Sequence, residues 1–541
     1  MRLTPSLITA SALLFPGSLF AQSTERVSVD SNGVQGNQHS EASSLSANGR
    51  YIAFASAASN LVTGDINSAS DIFFHDRVTG QTTRVSIGSS GIEGDGKSES
   101  PAISADGRFV AFASEATNLV PSDTNNQWDV FLHDTLNGTT TRVSVDSAGL
   151  QATGFTGSFS PAISADGRMI AFASNAWDLV PNDTNNSLDV FVHDQLTGET
   201  TRVSVDSAGI QGSFFSNEPS ISANGRFVAF ESWSSNLVPN DTNGAGDVFV
   251  HDRLTGETIR ASLDSNGVEG NLASTAAALS ADGQVIAFES KADNLIAGDS
   301  NGQDDIFVHN RSSGQTTRVS ISTGGSEGNS FSYLPSISAD GRFISFESRA
   351  DNLILNDLNG NVDVFLHDQS TGQTTALSVD PAGVVGDFYS HTASLSPDGR
   401  YVSFTSASSN LVSGDSGWLK DIFVRDRATG ADLNTVLLTA PFLAQVGASL
   451  DLNWFNAPAS SAYWLAYSLN LNGSVVAGHN FDLGSPSTIL TTGTTSLDGT
   501  GSFTTPPVPT GAAGLTVYFE LACRDGNGVF WDSIALPVLF E

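Results

Sequence analysis

The sequence predicts an all-β protein: a seven-bladed β-propeller closed by its N-terminal strand, followed by a small β-sandwich domain. One short motif recurs seven times, at intervals of 58 residues except for one interval of 60. Periods of this size are typical of propellers, solenoids and arrays, and the pattern favours a propeller over a solenoid. The copies are Ser46–Arg50, Ser104–Arg108, Ser164–Arg168, Ser222–Arg226, Ser280–Gln284, Ser338–Arg342 and Ser396–Arg400.

We expect three segments along the chain. Residues 1–21 are typical of an export signal, with Arg2 before an apolar stretch and Ala21 at the end. That stretch is too short to span a membrane, so we expect a secreted, periplasmic or cell-surface protein without a membrane span. Residues 22–430 form the predicted propeller, and residues 431–541 the predicted sandwich, whose role the sequence does not indicate.

Composition excludes some classes of partner. The net charge is −34, which repels nucleic acid and anionic membranes and attracts cations. Cys523 is the only cysteine, so no disulfide can form within the chain. An exported protein of this kind needs another means of stabilisation.

Each repeat predicts four short antiparallel strands and shows no helical periodicity. In the third copy the strands are expected at Ser160–Ser164, Arg168–Phe172, Asp189–His193 and Thr201–Val205. A tight Asp-Gly turn joins the first two strands, and a long loop joins the second and third.

The two ends of the repeat region predict a closed ring. Glu25–Val29 matches a fourth strand but precedes the first motif, whereas the seventh copy stops after Arg427–Gly430 without a fourth strand. If the N-terminal strand completes the last blade, both unpaired sheet edges disappear.

These repeats resemble a known family. Ser396–Phe404 followed by Asp421–Val424 is similar to the PD40 repeats of TolB-like, WD40-like propellers. The resemblance covers about residues 24–430 and implies the fold, while propellers of this family serve many roles.

The loop between the second and third strands predicts a calcium site in six copies. Aspartate and asparagine two residues apart, with a further aspartate at the start of the third strand, offer the oxygen ligands that calcium prefers. The candidate ligands are Asp65, Asn67, Asp71, Asp123, Asn125, Asp129, Asp183, Asn185, Asp189, Asp241, Asn243, Asp247, Asp299, Asn301, Asp305, Asp357, Asn359 and Asp363. Alternatively, these side chains cap turns. The seventh loop has Gly417 in place of the asparagine and is expected to bind no ion.

Two further recurrent residues are expected to be structural. Six histidines share one strand position, which predicts hydrogen bonds between strands, and the arginine of the motif predicts salt links between blades. The histidines are His75, His133, His193, His251, His309 and His367.

Residues that differ between copies are better candidates for function. Aromatic side chains on the predicted loop-rich face are candidates for binding a protein or polysaccharide, although packing between loops is an alternative. They are Phe155, Phe159, Phe214, Phe215, Phe331, Tyr333, Phe388, Tyr389, Trp128, Trp177 and Trp233, with Trp418 nearby. Glu99 and Glu218 are candidates for an acid–base pair.

Three functions remain open at this stage. The first is a non-catalytic, calcium-stabilised scaffold for a glycan or protein ligand. The second is a polysaccharide lyase or hydrolase acting at the mouth of the propeller. The third is a TolB-like periplasmic envelope protein.

Overall fold

The computed structural model describes residues 22–154, 157–415 and 417–427, together with the backbone of β-strands between residues 437 and 540. The predicted signal peptide, residues 1–21, lies outside the described residues. In the part of the chain that is described, no helix has the length and apolar character needed to cross a membrane.

The repeats form seven four-stranded antiparallel sheets, the blades. Strand β1 (Ser23–Arg26) comes first. Blade 1 has β2 (Ser40–Leu45), β3 (Tyr51–Ser56), β4 (Asp71–Asp76) and β5 (Gln81–Arg84). Blade 2 has β6 (Ser98–Ile103), β7 (Phe109–Ser114), β8 (Asp129–Asp134) and β9 (Thr139–Arg142). Blade 3 has β10 (Ser158–Ile163), β11 (Met169–Ser174), β12 (Asp189–Asp194) and β13 (Thr200–Arg202).

The remaining blades follow the same order. Blade 4 has β14 (Ser216–Ile221), β15 (Phe227–Ser232), β16 (Asp247–Asp252) and β17 (Glu257–Arg260). Blade 5 has β18 (Ser274–Leu279), β19 (Val285–Ser290), β20 (Asp305–Asn310) and β21 (Gln315–Arg318). Blade 6 has β22 (Ser332–Ile337), β23 (Phe343–Ser348), β24 (Asp363–Asp368) and β25 (Gln373–Ala376). Blade 7 has β26 (Ser390–Leu395), β27 (Tyr401–Ser406) and β28 (Asp421–Asp426).

Strand β1 completes blade 7, as the sequence predicts. It pairs antiparallel with β28, with Ser23 opposite Asp426 and Arg26 opposite Phe423. Just after β1, the Val27 amide donates to the Ile422 carbonyl at 2.8 Å. The first strand therefore covers the edge that the last blade would otherwise expose.

The core lies between the blades. Seven apolar clusters each combine residues of two adjacent blades, and the cluster that joins blades 7 and 1 contains Val27, Phe54 and Ile422. Within each blade a phenylalanine of the second strand stacks on one of the third, with centroids 5.8–6.0 Å apart. Because every blade packs on both neighbours, the ring is closed.

The turns of the recurrent motif lie at one end of the strands, and we call this end of the propeller the turn face. The long loops and the segments that join one blade to the next lie at the opposite end, which we call the loop face. On the turn face, backbone amides link the motifs around the axis at 2.8–3.0 Å, from Ala47 to Ala105 and onward to Pro397. Proline has no N–H and ends this series. A cavity of about 320 Å³ lies in the channel beside these motifs, lined by apolar residues such as Leu45 and Ile221.

Every innermost strand carries a β-bulge at a non-glycine residue with a left-handed backbone. The φ angles are 49–56°. The residues are Ala42, Ser100, Ser160, Glu218, Ala276, Leu334 and Thr392. Bulges bend a strand and redirect its side chains, here next to the axial channel.

Eleven strands are described after the propeller. They are β29 (Leu437–Thr439), β30 (Leu443–Ala444), β31 (Asp451–Phe455), β32 (Ala462–Ser468), β33 (Ser474–Val476), β34 (His479–Phe481), β35 (Thr488–Thr494), β36 (Gly501–Thr504), β37 (Thr516–Arg524), β38 (Phe530–Asp532) and β39 (Leu536–Phe540). They pair in the orders β29-β31-β36, β30-β39-β37-β32-β35 with β38 on β37, and β33-β34. Their packing into a sandwich stays a prediction.

Candidate functional site on the loop face

The acidic loops place two aspartates around an arginine. In blade 3, Nη1 of Arg202 lies 3.3 Å from Oδ1 of Asp183 and 3.3 Å from Oδ2 of Asp189. The arginine ends the fourth strand, and its register opposite Phe191 brings it to the loop. The equivalent arginines are Arg26, Arg84, Arg142, Arg260 and Arg318. In six of the seven blades the protein itself thus supplies a cation to the acidic loop.

The asparagine of each loop presents its nitrogen to the aspartate. In blade 3, Nδ2 of Asn185 donates to Oδ2 of Asp189 at 3.0 Å and to the carbonyl of Gly212 at 3.0 Å. Its Oδ1 accepts from the amide of Ser187. The same arrangement holds Asn67, Asn125, Asn243, Asn301 and Asn359. The asparagines therefore orient the aspartates, and calcium binding in these loops stays a prediction.

A fourth position completes each pocket and varies between blades. Blades 1, 4 and 5 have a glutamate there, so that three carboxylates lie within 4.8 Å of one another. These glutamates are Glu93, Glu269 and Glu327, and glutamines occupy the position as Gln35, Gln151 and Gln211. Burial raises the pKa of Asp299 in blade 5 to about 6. Blade 6 has Val385 at this position and Ala376 at the position of the arginine.

The recurrent histidines are structural, as predicted. Nδ1 of His75 lies 2.8 Å from Oγ1 of Thr82 on the next strand, and that hydroxyl donates to the Val29 carbonyl of the preceding segment. Burial lowers the pKa of these imidazoles, to about 4 for His251. Blade 7 uses Arg425 instead. The histidine position therefore joins blades.

The arginines of the motif were expected to form salt links between blades. This prediction is wrong, because their ion pairs lie within one blade. Nη2 of Arg50 lies 2.8 Å from Oδ2 of Asp76, which ends the third strand of the same blade. Hairpin register brings these two residues together within one sheet. Contacts between blades come instead from residues such as Arg77, whose guanidinium lies 4.9 Å from the Tyr401 ring centroid.

The predicted aromatic residues occur in separate groups on the loop face. Blade 4 holds Phe214, Phe215 and Trp233, blade 6 holds Phe331 and Tyr333, and blade 7 holds Phe388 and Tyr389. Trp177 in blade 3 is exposed, whereas Trp128 and Phe159 are half-buried. Phe155 lies outside the described residues. Some of these aromatic side chains therefore pack against one another, and others are exposed to solvent.

The Trp233 ring in blade 4 packs against Gly246, where a side chain would clash with it. A Cβ at Gly246 would lie 2.6 Å from Nε1 of Trp233. Phe215 is 5.9 Å from Trp233 between ring centroids, and Phe214 extends the group to solvent. The position of Gly246 holds larger residues in the other copies: Ser70, Trp128, Leu188, Asp304, Val362 and Lys420.

Trp418 in blade 7 adopts a left-handed backbone, with φ of 73°, and is 83% exposed. Its ring contacts Phe388 at 6.1 Å between centroids. The other copies have residues suited to this conformation: Ser68, Asn126, Asn186, Gly244, Gly302 and Gly360. A bulky residue there is strained, and strain of this kind concentrates at functional sites.

Three glutamates near the channel were missed by the sequence analysis. Glu231, Glu289 and Glu347 occupy the fifth position of the second strand in blades 4, 5 and 6, where the other blades have alanine or threonine. Burial first, and then neighbouring carboxylates, raise the pKa of each to about 7. The change from Phe-Ala-Ser to Phe-Glu-Ser in consecutive copies is the signal that would have revealed them.

The two glutamates chosen from the sequence have other partners. The charge of Glu218 raises the pKa of Glu231 and of Glu289. Glu99 is half-buried and forms an ion pair with Lys97. The acidic group at the mouth therefore centres on blades 4 to 6 rather than on an acid–base pair of Glu99 with Glu218.

Seven blades in a closed ring, completed by the N-terminal strand, define a seven-bladed β-propeller with a copy-specific loop face. Similar solved structures include a protein from Agrobacterium tumefaciens described as TolB, with 16% identity over 64% of this chain and 94% of that chain, at a TM-score of 0.35. They also include the WD40 repeats of RRP9, with 10% identity over 75% of this chain and 98% of that chain, at a TM-score of 0.35.

A third similar structure is the complex of KlAtg21 with the coiled coil of AgAtg16, with 11% identity over 68% of this chain and 94% of that chain, at a TM-score of 0.37. The structural neighbours thus include TolB and WD40 repeat propellers. No family model and no curated protein matches the chain. The fold assignment rests on the strand pairing described above.

Proposed function

We propose that this chain is an exported, non-catalytic binding scaffold that holds a protein or polysaccharide ligand on its loop face. The observation that carries this proposal is the exposure of aromatic side chains that most copies lack. Residues common to the copies fill the core, the turns and the acidic pockets, whereas Phe214, Trp233 and Trp418 are 55%, 44% and 83% exposed. Aromatic rings with one wet face are typical of binding surfaces.

Backbone strain supports an outward role for Trp418. A bulky residue with a left-handed backbone costs of order 1–3 kcal/mol. Its 83% exposure leaves little packing to offset that cost. Contact with a ligand is a reason to retain tryptophan where other copies have glycine, asparagine or serine.

The charge of the molecule narrows the class of ligand. The net charge of −34 and the glutamates at the mouth disfavour polyanions, including nucleic acids. A neutral polysaccharide, or a neutral or basic protein segment, suits this surface. The sequence pattern of residues 1–21 supports export of the protein.

The test compares Trp418→Gly with Leu196→Ser, a substitution of an exposed apolar residue on the turn face. Binding is measured by pull-down on cellulose, chitin and β-1,3-glucan and on an array of neutral and basic peptides. We expect the wild type to be retained on at least one of these probes. Trp418→Gly should bind that probe about tenfold or more weakly, and Leu196→Ser should bind it as the wild type does. The melting temperature of Trp418→Gly should match or exceed that of the wild type, because the strain is removed.

The proposal would be contradicted if Trp418→Gly were retained on the probes as well as the wild type, or if both variants lost binding equally.

A polysaccharide lyase or hydrolase is the second candidate function. It is favoured by Glu231 and Glu289, whose pKa values of about 7 suit a general acid. Assaying the same glycans for new reducing or unsaturated ends separates the two functions. Turnover that Glu231→Gln abolishes would establish the enzyme.

A further inference from the structure

We infer that blade 6 contains a cation pocket, formed by Asp357 and Asp363 beside the Gly386 carbonyl, that takes a divalent cation such as Ca²⁺. The ion would lie where the other blades place an arginine guanidinium. This inference does not depend on the proposed function, because the pocket is distinct from the aromatic groups.

The repeats themselves show that a cation fits between the two aspartates. In blade 5, Nη1 of Arg318 lies 3.4 Å from Oδ1 of Asp299 and 3.1 Å from Oδ2 of Asp305. Blades 1 and 3 have the same geometry, with separations of 3.2–3.7 Å. A single guanidinium nitrogen therefore lies between both carboxylates in blades 1, 3 and 5, whereas in blades 2 and 4 two nitrogens of one arginine contact them.

Blade 6 retains the frame of the pocket. Nδ2 of Asn359 donates to Oδ2 of Asp363 at 2.6 Å and to the Gly386 carbonyl at 2.9 Å. Ser378 donates to the other oxygen of Asp363 at 2.8 Å. The equivalent serine and asparagine of the other blades make the same contacts, as in Ser320 to Asp305 at 2.5 Å. Asp363 of blade 6 is thus held in the same way as its equivalents.

Blade 6 alone lacks both the arginine of the pocket and the glutamate or glutamine beside it. Ala376 ends β25 where blades 1 to 5 have arginine, and Val385 replaces the glutamate or glutamine. Both changes remove volume as well as polar groups. Asp363 is fully buried and Asp357 is 6% exposed, and Oδ1 of Asp357 has no hydrogen-bond partner. An unpaired buried carboxylate is costly unless a cation neutralises it.

The ligand set favours a hard divalent ion. Two carboxylates carry a charge of −2, and together with the Gly386 carbonyl they present oxygen atoms only. Calcium takes six to eight oxygens, so water must complete the shell. Such a site belongs to the weak extracellular class, with Kd on the order of 10⁻⁴–10⁻³ M. Ala376 lies on the outermost strand of its blade and is only partly buried.

The experiment titrates CaCl₂ into the metal-free full chain by calorimetry and records melting curves with and without calcium. The wild type should bind one ion and melt at a higher temperature with calcium. Ala376→Arg, which installs the arginine of the other blades, should bind none and no longer respond to calcium. Asp183→Asn, at the equivalent position of Asp357 in blade 3, should still bind one ion.

Two results would overturn the inference. One is the absence of wild-type binding up to about 10 mM calcium, well above the expected Kd. The other is an Ala376→Arg variant that binds as many ions as the wild type. If methylguanidinium, rather than calcium, stabilises the wild type but not Ala376→Arg, the assignment of a metal ion is wrong.

Discussion

At the scale of single residues, Glu347 shows how one substitution within a repeat changes the chemistry of the ring. The equivalent residues of blades 1 to 3 are alanines. Glu347 is fully buried, one of its oxygens accepts from the Thr392 amide of the next blade, and its carboxylate also accepts from the Tyr333 hydroxyl. Burial raises its pKa from 4.5 to about 7. The folded protein therefore favours the protonated carboxyl.

This pKa gives Glu347 a defined effect on stability. The folded pKa lies above the unfolded one, so the stability that the proton provides is lost as the pH rises from 4.5 to about 7. Glu347→Gln cannot ionise and should exceed the wild type in unfolding free energy above pH 7, by about 3 kcal/mol at most. Urea unfolding of both proteins across that pH range measures the difference.

Glu99→Gln is the matched control, because Glu99 is half-buried and paired with Lys97. It should leave the free energy of unfolding close to that of the wild type. A constant difference between Glu347→Gln and the wild type from pH 4.5 to 7 would show that Glu347 does not titrate in this range.

At the scale of elements, β1 has the largest predicted effect. It pairs with β28 along its whole length, and Val27 behind it belongs to the cluster between blades 7 and 1. Deleting residues 22–36 should expose the edge of β28 and lower the unfolding free energy by several kcal/mol, with aggregation as the accompanying sign. Thermal melts and light scattering measure both effects.

Moving the same segment provides the control for this deletion. The sequence Arg-Ala-Thr-Gly at 427–430 matches the turn Arg77–Gly80 that joins β4 to β5. Residues 22–36 inserted after residue 430 should therefore pair with β28 through an ordinary hairpin and restore stability. A deletion variant as stable as the wild type would contradict ring closure by β1.

The elements also show what the sequence could and could not predict. Period, turns and the offset of the fourth strand are local patterns, so they predicted the blades and the closure of the ring. The fourth strand of blade 3 was expected at Thr201–Val205 but ends at Arg202, because Ser204 turns to donate to Asp189. The arginine of the acidic pocket could not be predicted. It lies near the acidic loop because of the register between the third and fourth strands, and residue spacing along the chain does not show that register.

At the scale of the whole molecule, the balance of charge opposes the compact ring. Most of the net charge of −34 lies in repeats that face one another across an axis. Repulsion between distant carboxylates acts through solvent and is screened by salt, whereas the buried pairs such as Arg202 with Asp189 are screened far less. Added salt therefore relieves the repulsion more than it weakens the ion pairs.

We expect the melting temperature of the metal-free protein to rise by about 2 °C or more between low and high ionic strength. Choline chloride should act as well as sodium chloride, because screening depends on ionic strength and not on the identity of the cation. Ala376→Arg should show the same salt dependence, since its change lies in one pocket only. A melting temperature that falls with salt, or that rises with sodium but not with choline, would mean that bound ions rather than long-range repulsion control the stability of the ring.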